Sequence, residues 1–250
     1  MLALGAGTAS ATVPEAGHCT HVAEGSHGAY IGANCIARST NGKGLYEWAP
    51  VTEAEKVSFK GAGGETKLWV GGRVRLKCIV ANVSGEYTSA KKVKATVELQ
   101  ACYNLEGKQC TGISTPQSKS EIELLPLEGE LGMIKNQEGA PRTVGLDLKP
   151  MSPSTDLAIY ECGNPLETYR LEGSVIAKVN PVSKMTSTMN LLFSAPKGIQ
   201  IPEAFEGQPT DTLSETITSG TSSETLPAAL NIKGYTGSNS SETEIKAVEK

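Results

Sequence analysis

What this 250-residue chain lacks narrows its function before any motif is found. It has no surplus of basic residues: 23 Lys and Arg stand against 27 Asp and Glu, a formal charge of −4. Neutralising a phosphate backbone needs the opposite balance, so nucleic acid is excluded as an expected partner. Apolar runs extend only a few residues, far short of the ~20 that span a bilayer as a helix, so no transmembrane segment is expected. Aromatic residues make up 5% of the chain, with two tryptophans and three phenylalanines. The stacking platforms of a long polysaccharide cleft are therefore hard to assemble.

Reactive groups are equally sparse. Aspartate occurs only at Asp147, Asp156 and Asp211, and histidine only at His18, His21 and His27. No G-x-S-x-G elbow is present, which argues against a Ser-His-Asp hydrolase. The glycine-rich GAGGET at 61–66 lacks the spacing and the Lys-Ser/Thr of a phosphate loop, and reads as a flexible turn between Phe59 and a strand at Leu68. Without a D-x-D-x-D-G loop, calcium is not expected either. No cofactor is assigned.

What is abundant is glycine, glutamate, serine and threonine, together with six cysteines. An even cysteine count with no C-x-x-C points to disulfides rather than to zinc or thioredoxin-like chemistry. The six (Cys19, Cys35, Cys78, Cys102, Cys110 and Cys162) allow 15 connectivities, and sequence selects none of them. Spacing favours local staples, Cys19 with Cys35 and Cys102 with Cys110, leaving Cys78 for Cys162. Residues 1–11, MLALGAGTASA, end in an A-x-A pattern and read as a signal-peptide remnant. Both features predict a secreted, extracellular protein whose partner is an unidentified extracellular or cell-surface component.

The hydrophobic pattern is that of strands. Val93, Ala95, Val97, Leu99 and Ala101 alternate with polar residues, and residues 68–80 carry apolar stretches on either side of Gly71-Gly72, a hairpin signal. Further strands are predicted at 144–150, 156–162, 169–179 and 184–194. Turn residues recur at Gly85, Gly107, Gly129, Gly139, Pro150, Gly163, Pro181, Pro196 and Gly207. No helical period is sustained; LEGELGMIKNQE comes nearest, and its two glycines weaken it. The expectation is an all-β, disulfide-stabilised antiparallel β-sandwich, with a β-barrel as the alternative. An N-terminal disulfide-stapled segment at 12–56 would precede a main β domain at 57–250. The Ser/Thr-rich stretch near 210–225 reads as an exposed strand with a loop, and Lys91, Lys92 and Lys94 as charges guarding a strand edge.

Candidate sites are few. His18, His21 and His27 fall within one decapeptide and are the weak candidates for a metal site, with a solvent-exposed turn as the plainer reading. Trp48, Trp69, Tyr30 and Tyr87 are the candidate contacts of a carbohydrate or small-ligand site. Three G-x-Y copies, at Gly28, Gly44 and Gly85, read as a turn glycine followed by a sheet-capping tyrosine. Paired glutamates at Glu128 and Glu130, or Glu121 and Glu123, share a strand face and raise glycoside hydrolysis as a lesser alternative. No catalytic residue is assigned.

The segments PEAGHCTHVAEGSHGAYIGANC, GLYEW, GAGGETKLWVGGRVRLKC, GEYTSAKKV, LEGELGMI, VGLDLKP, VNPVSKMT and PEAFEGQPTDTL follow one another along the chain. This ordered string resembles a family of uncharacterised secreted, disulfide-containing β-rich proteins of soil actinobacteria. The resemblance implies export and a disulfide-stabilised β-rich fold; it implies no activity, cofactor or catalytic residue. The function expected from sequence is a non-enzymatic structural, adhesive or surface-associated protein. A carbohydrate- or small-ligand-binding module is the first alternative and a secreted glycosidase the second.

Overall fold

The structure is a computed structural model that describes residues 14–115, 119–135, 143–163, 167–202, 204–209 and 212–247. The signal-remnant reading of 1–11, the turn at Gly139 and the aspartate at 211 lie outside these residues. Strands dominate: β1 Glu15–His21, β2 Tyr46–Pro50, β3 Ser58–Gly63, β4 Thr66–Val70, β5 Arg73–Tyr87, β6 Lys92–Asn104, β7 Cys110–Gly112, β8 Glu121–Glu123 and β9 Leu127–Lys135. They continue with β10 Thr143–Pro150, β11 Asp156–Cys162, β12 Glu167–Glu172, β13 Val175–Asn180, β14 Thr186–Phe193, β15 Ala204–Phe205, β16 Gln208–Pro209, β17 Ser214–Ser219 and β18 Ser222–Lys246. Among the described residues the only helical pieces are two 3₁₀ turns, and no helix is long and apolar enough to cross a membrane.

The pairings are antiparallel and follow the path β14-β13-β10-β9-β6-β5-β3-β18-β17-β12-β11-β7. β14 also pairs with β18, so eight strands form a hydrogen-bonded ring. That closure is a barrel-like feature. The arm β17-β12-β11-β7, which leaves the ring through the first residues of β18, is a sandwich-like one. β18 joins the two: Ser222–Pro227 pairs with β17, residues 228–232 with β4, and residues 236–239 with β3. Its last residues pair with β1, from Glu15↔Lys246 to Gly17↔Glu244. The N-terminal segment is thereby hydrogen-bonded to the C-terminal end of the chain, and its Ala16 and Val51 belong to the common core.

Alternation explains most of this. In β6, Val93, Ala95, Val97 and Leu99 are buried while Lys92, Lys94 and Thr96 are exposed. They pack with Leu68, Leu76 and Val83 and with Leu127, Leu146, Leu148, Leu191 and Phe193 in one contiguous core. The β4–β5 hairpin turns at Gly71 and Gly72, both at positive φ, as the two-residue loop requires. The predicted strand at 169–179 is instead two, divided at Gly173 (φ 100°), so that β12 joins the arm and β13 the ring. Along β18 the inward residues are Leu230 and Ile232, then Tyr235, Gly237 and Asn239. The parity changes at Gly234 (φ 63°), as one inserted residue would cause.

Several expectations need correction. Gly85 and Gly129 are not turns but lie within β5 and β9. Gly85 sits opposite Phe59, whose ring occupies the space a Cβ would take. LEGELGMIK forms β9 rather than any helical turn. GAGGET is not a flexible turn: Gly61 and Gly63 belong to β3, and Gly61 packs against the backbone of Gly237. Lys92 and Lys94 guard no edge, because β6 is flanked by β5 and β9; Lys94 lies between Glu86 and Glu128 in register.

All six cysteines are paired. Cys19 bonds Cys35 as spacing suggested, but the other two bridges are Cys78–Cys102 and Cys110–Cys162. The favoured pairs Cys102–Cys110 and Cys78–Cys162 are overturned by register. Cys78 lies directly opposite Cys102 across β5 and β6, and Cys110 directly opposite Cys162 across β7 and β11, each with Cα atoms 4.0 Å apart. Such facing positions bring side chains close enough to bond.

Candidate functional site

Register also decides which polar groups converge. The residues proposed for a metal site do not. His18 and His21 are three apart on β1, an odd separation that sends side chains to opposite faces. His18 Nε2 meets Glu55 Oε1 at 3.2 Å, and His21 packs edge-on to Tyr46. His27 is exposed. No group of three His, Cys, Asp or Glu able to hold a metal ion occurs among the described residues.

The four candidate aromatic contacts do not make one face. Tyr87 is buried against Phe59, with its hydroxyl toward the Met189 sulfur at 3.7 Å. Tyr30 is also buried. It exchanges both backbone hydrogen bonds with Tyr46, while Gly28 does the same with Gly44. Two of the G-x-Y copies thus bond each other, and a Cβ on Gly28 or Gly44 would strike the carbonyl of the opposing tyrosine. Trp48 is half-buried under Lys246, whose Nζ lies 4.0 Å from the ring centre. Trp69 is half-buried beside Gly198.

Three of the four paired glutamates meet lysines. Glu86, Lys94, Glu128 and Lys149 form one row across β5, β6, β9 and β10, with Lys149 Nζ 3.5 Å from Glu128. Glu130 stands opposite Lys92. Glu121 pairs with Lys119 at 3.6 Å, and Glu123 is exposed opposite Glu98. A concavity of about 790 Å³ lies over part of this surface, between Lys60, Ser84, Glu86, Lys94 and Met151. Its charged lining, Lys60, Glu86 and Lys94, is exposed and alternates in sign across β3, β5 and β6, with no buried charge among them to direct a chemistry.

A smaller cleft, about 450 Å³, combines volume with buried charge. It opens between the β4–β5 hairpin (Val70, Arg73, Val74, Arg75), the loop 104–108 after β6, and β12 with Glu167 and Tyr169. The loop is held by the Asn104 carboxamide oxygen, which accepts from the backbone N–H of Glu106 and of Lys108 at 3.0 and 2.9 Å. Cys162 of the Cys110–Cys162 bridge forms part of the wall and ties β11 to β7 beside it.

Beneath this cleft lies Glu215 of β17, with 0% of its side chain exposed. Tyr160 of β11 donates its hydroxyl to Glu215 Oε1. Arg75 Nε approaches Oε2 at 3.6 Å, an ion pair longer than a hydrogen bond, and neither of those two atoms has a hydrogen-bond partner. Burial raises the Glu215 carboxyl to about 7, although the Tyr160 hydrogen bond and the Arg75 charge pull it down. The Tyr160 hydroxyl is pushed well above its ordinary value, by burial first and then by the carboxylate. Tyr169 stacks on Tyr160 with ring centres 5.1 Å apart and carries the Arg75 guanidinium 6.0 Å from its own centre. Its hydroxyl donates to Glu167 at 2.7 Å, and burial, then that bond, lifts it to about 12.

None of Trp48, Trp69, Tyr30 and Tyr87 lines this cleft. Sequence reading passed over Glu215, Tyr160, Tyr169, Arg73, Arg75 and Lys108. One signal was available: in Leu213-x-Glu215-x-Ile217 a glutamate occupies the inward parity of an alternating strand, and Leu213 and Glu215 are both buried. The surrounding serines and threonines masked it. No protein family, no curated protein and no solved structure matches the chain.

Proposed function

We propose that this chain is a secreted, non-enzymatic β-rich binding module with an adhesive or surface-associated role, and that it engages its ligand in the cleft between the β4–β5 hairpin, the 104–108 loop and β12. One observation carries the reading. The cleft has the volume of a small-ligand site, and Arg75 in its wall is also the counter-charge of a fully buried carboxylate. Buried ionic groups are costly unless completely paired, and this one leaves two polar atoms without hydrogen bonds. Such an arrangement contributes less to stability than to recognition.

Three disulfides support an oxidising compartment, which with the A-x-A pattern at 9–11 is the basis for secretion. The resemblance to secreted actinobacterial proteins rests on the ordered sequence segments alone. The glycosidase alternative is disfavoured because Glu128 and Glu130 face lysines across the sheet rather than each other across a cleft.

A glycan and small-ligand binding screen with the wild-type protein and the Arg73→Gln variant tests the proposal. Ligands captured by the wild type and lost or weakened at least fivefold in the variant are expected. Hits that ignore the substitution, or hydrolysis of a captured glycan, would overturn it.

A further inference from the structure

The charges around the cleft specify more than a cavity. Its lining holds three cations, Arg73, Arg75 and Lys108, and two anions, Glu106 and Glu167. Both anions are engaged: Glu106 with Lys108 Nζ at 3.0 Å, and Glu167 with the Tyr169 hydroxyl. Arg73 is exposed at the mouth, and Arg75 lies behind it on the same face of β5. The lining therefore carries one positive charge in excess, and an ionised Glu215 beneath it cancels that excess.

We infer that the cleft binds an anionic ligand by its carboxylate or sulfate group, through Arg73 and Arg75, and that it does so with uptake of a proton by Glu215. This rests on the reading of the cleft as a ligand site. Guanidinium groups match planar and tetrahedral oxyanions through paired N–H donors. Arg75 cannot satisfy two anions equally, because the ligand's charge and the Glu215 charge would repel one another across the same guanidinium. Protonation of Glu215 removes one of them and frees Arg75 for the ligand.

The groups facing Glu215 are Arg75 from β5, Tyr160 from β11, and Tyr169 with its partner Glu167 from β12, while Leu226 lies opposite it on β18. Glu215 titrates near neutrality, at about 7, while Tyr160 and Tyr169 ionise far above it. A bound anion lifts the Glu215 carboxyl further. By linkage, affinity falls as pH rises through that value.

Isothermal titration calorimetry of the full chain with oligogalacturonate and with a sulfated oligosaccharide, in two buffers of different ionisation enthalpy, tests the inference. A neutral oligosaccharide of equal length is the control. Affinity for at least one acidic probe is expected to be about twentyfold higher at pH 6 than at pH 8.5, with uptake approaching one proton per ligand near pH 8. Glu215→Gln, which keeps an acceptor for Tyr160, is expected to bind tightly at both pH values with no proton uptake. The proton count on the wild type reads the coupling even if that variant folds poorly. PH-independent binding without proton uptake would overturn the coupling while leaving the ligand site intact. Equal binding of the neutral probe, or no binding of either acidic probe, would overturn the anionic assignment. Only loss of every cleft-dependent ligand in the broader screen would remove the site itself.

Discussion

Tyr160 and Glu215 stand 55 positions apart in the chain, and the phenol of one donates to the carboxylate of the other. Two strands of the arm thereby hold a charged group where no surface reaches it. Replacing Tyr160 by Phe removes the hydrogen bond to the Glu215 carboxylate and leaves the ring stack with Tyr169 in place. The variant is expected to lose about 1.5–3 kcal/mol at pH 8, the range for a hydrogen bond to a charged group. Urea denaturation of wild type and Tyr160→Phe measures it; equal midpoints would contradict the assignment.

Glu215 also sets a pH dependence. Its carboxyl rises from an ordinary 4.5 to about 7 on folding, so between those values the native state binds more protons than the unfolded one. Stability therefore falls as pH increases through that window, by about 3 kcal/mol if the full shift is realised. Below about 4.5 the contribution is fully present, and above 7 it is gone. Denaturation at half-unit pH steps should show the decline, and Glu215→Gln should flatten it.

Peptide mapping under non-reducing conditions is expected to recover Cys19–Cys35, Cys78–Cys102 and Cys110–Cys162, with no free thiol. Removing a bridge by paired serine substitution costs about 3, 3.5 and 4 kcal/mol in that order, because the closed loops lengthen from 16 through 24 to 52 residues. Finding Cys102 bonded to Cys110 would contradict the register of β6 and β7.

A methyl group at Gly85 would meet the Lys94 carbonyl oxygen on β6 and the ring of Phe59 on β3. Gly85→Ala is expected to destabilise by about 1–3 kcal/mol, the usual cost of overpacking. Combining it with Phe59→Leu should cost less than the two changes separately. A double-mutant cycle with no coupling energy would refute the contact.

The all-β class was legible because alternation along β6, β10 and β11 is strict enough to show which face is buried. The β4–β5 hairpin was legible because Gly71 and Gly72 carry a turn with a known backbone demand. Other features depend on pairings between distant segments, which no local pattern encodes. Cys78 and Cys102 became partners because β5 and β6 align in register, not because of their spacing. β18 escaped notice because its inward positions after Gly234 include Gly237 and Asn239, which are not apolar. Gly85 read as a turn because the ring that fills its missing side chain comes from another strand. The cleft was hidden for the same reason: Arg75, Glu215, Tyr160 and Tyr169 sit on four different strands. Glu215 alone left a trace, as a charge at an inward parity.

The central claim is that this cleft is where the protein meets its ligand, and backbone chemical-shift mapping tests it most directly. With ¹⁵N-labelled protein titrated at pH 6 with a ligand captured in the glycan and small-ligand screen, the account predicts saturable shifts confined to residues 70–75, 104–108 and 167–169, together with the amide of Glu215. Shifts centred instead on Trp48, or on the Glu128–Lys149 row, or none at saturating ligand, would contradict it.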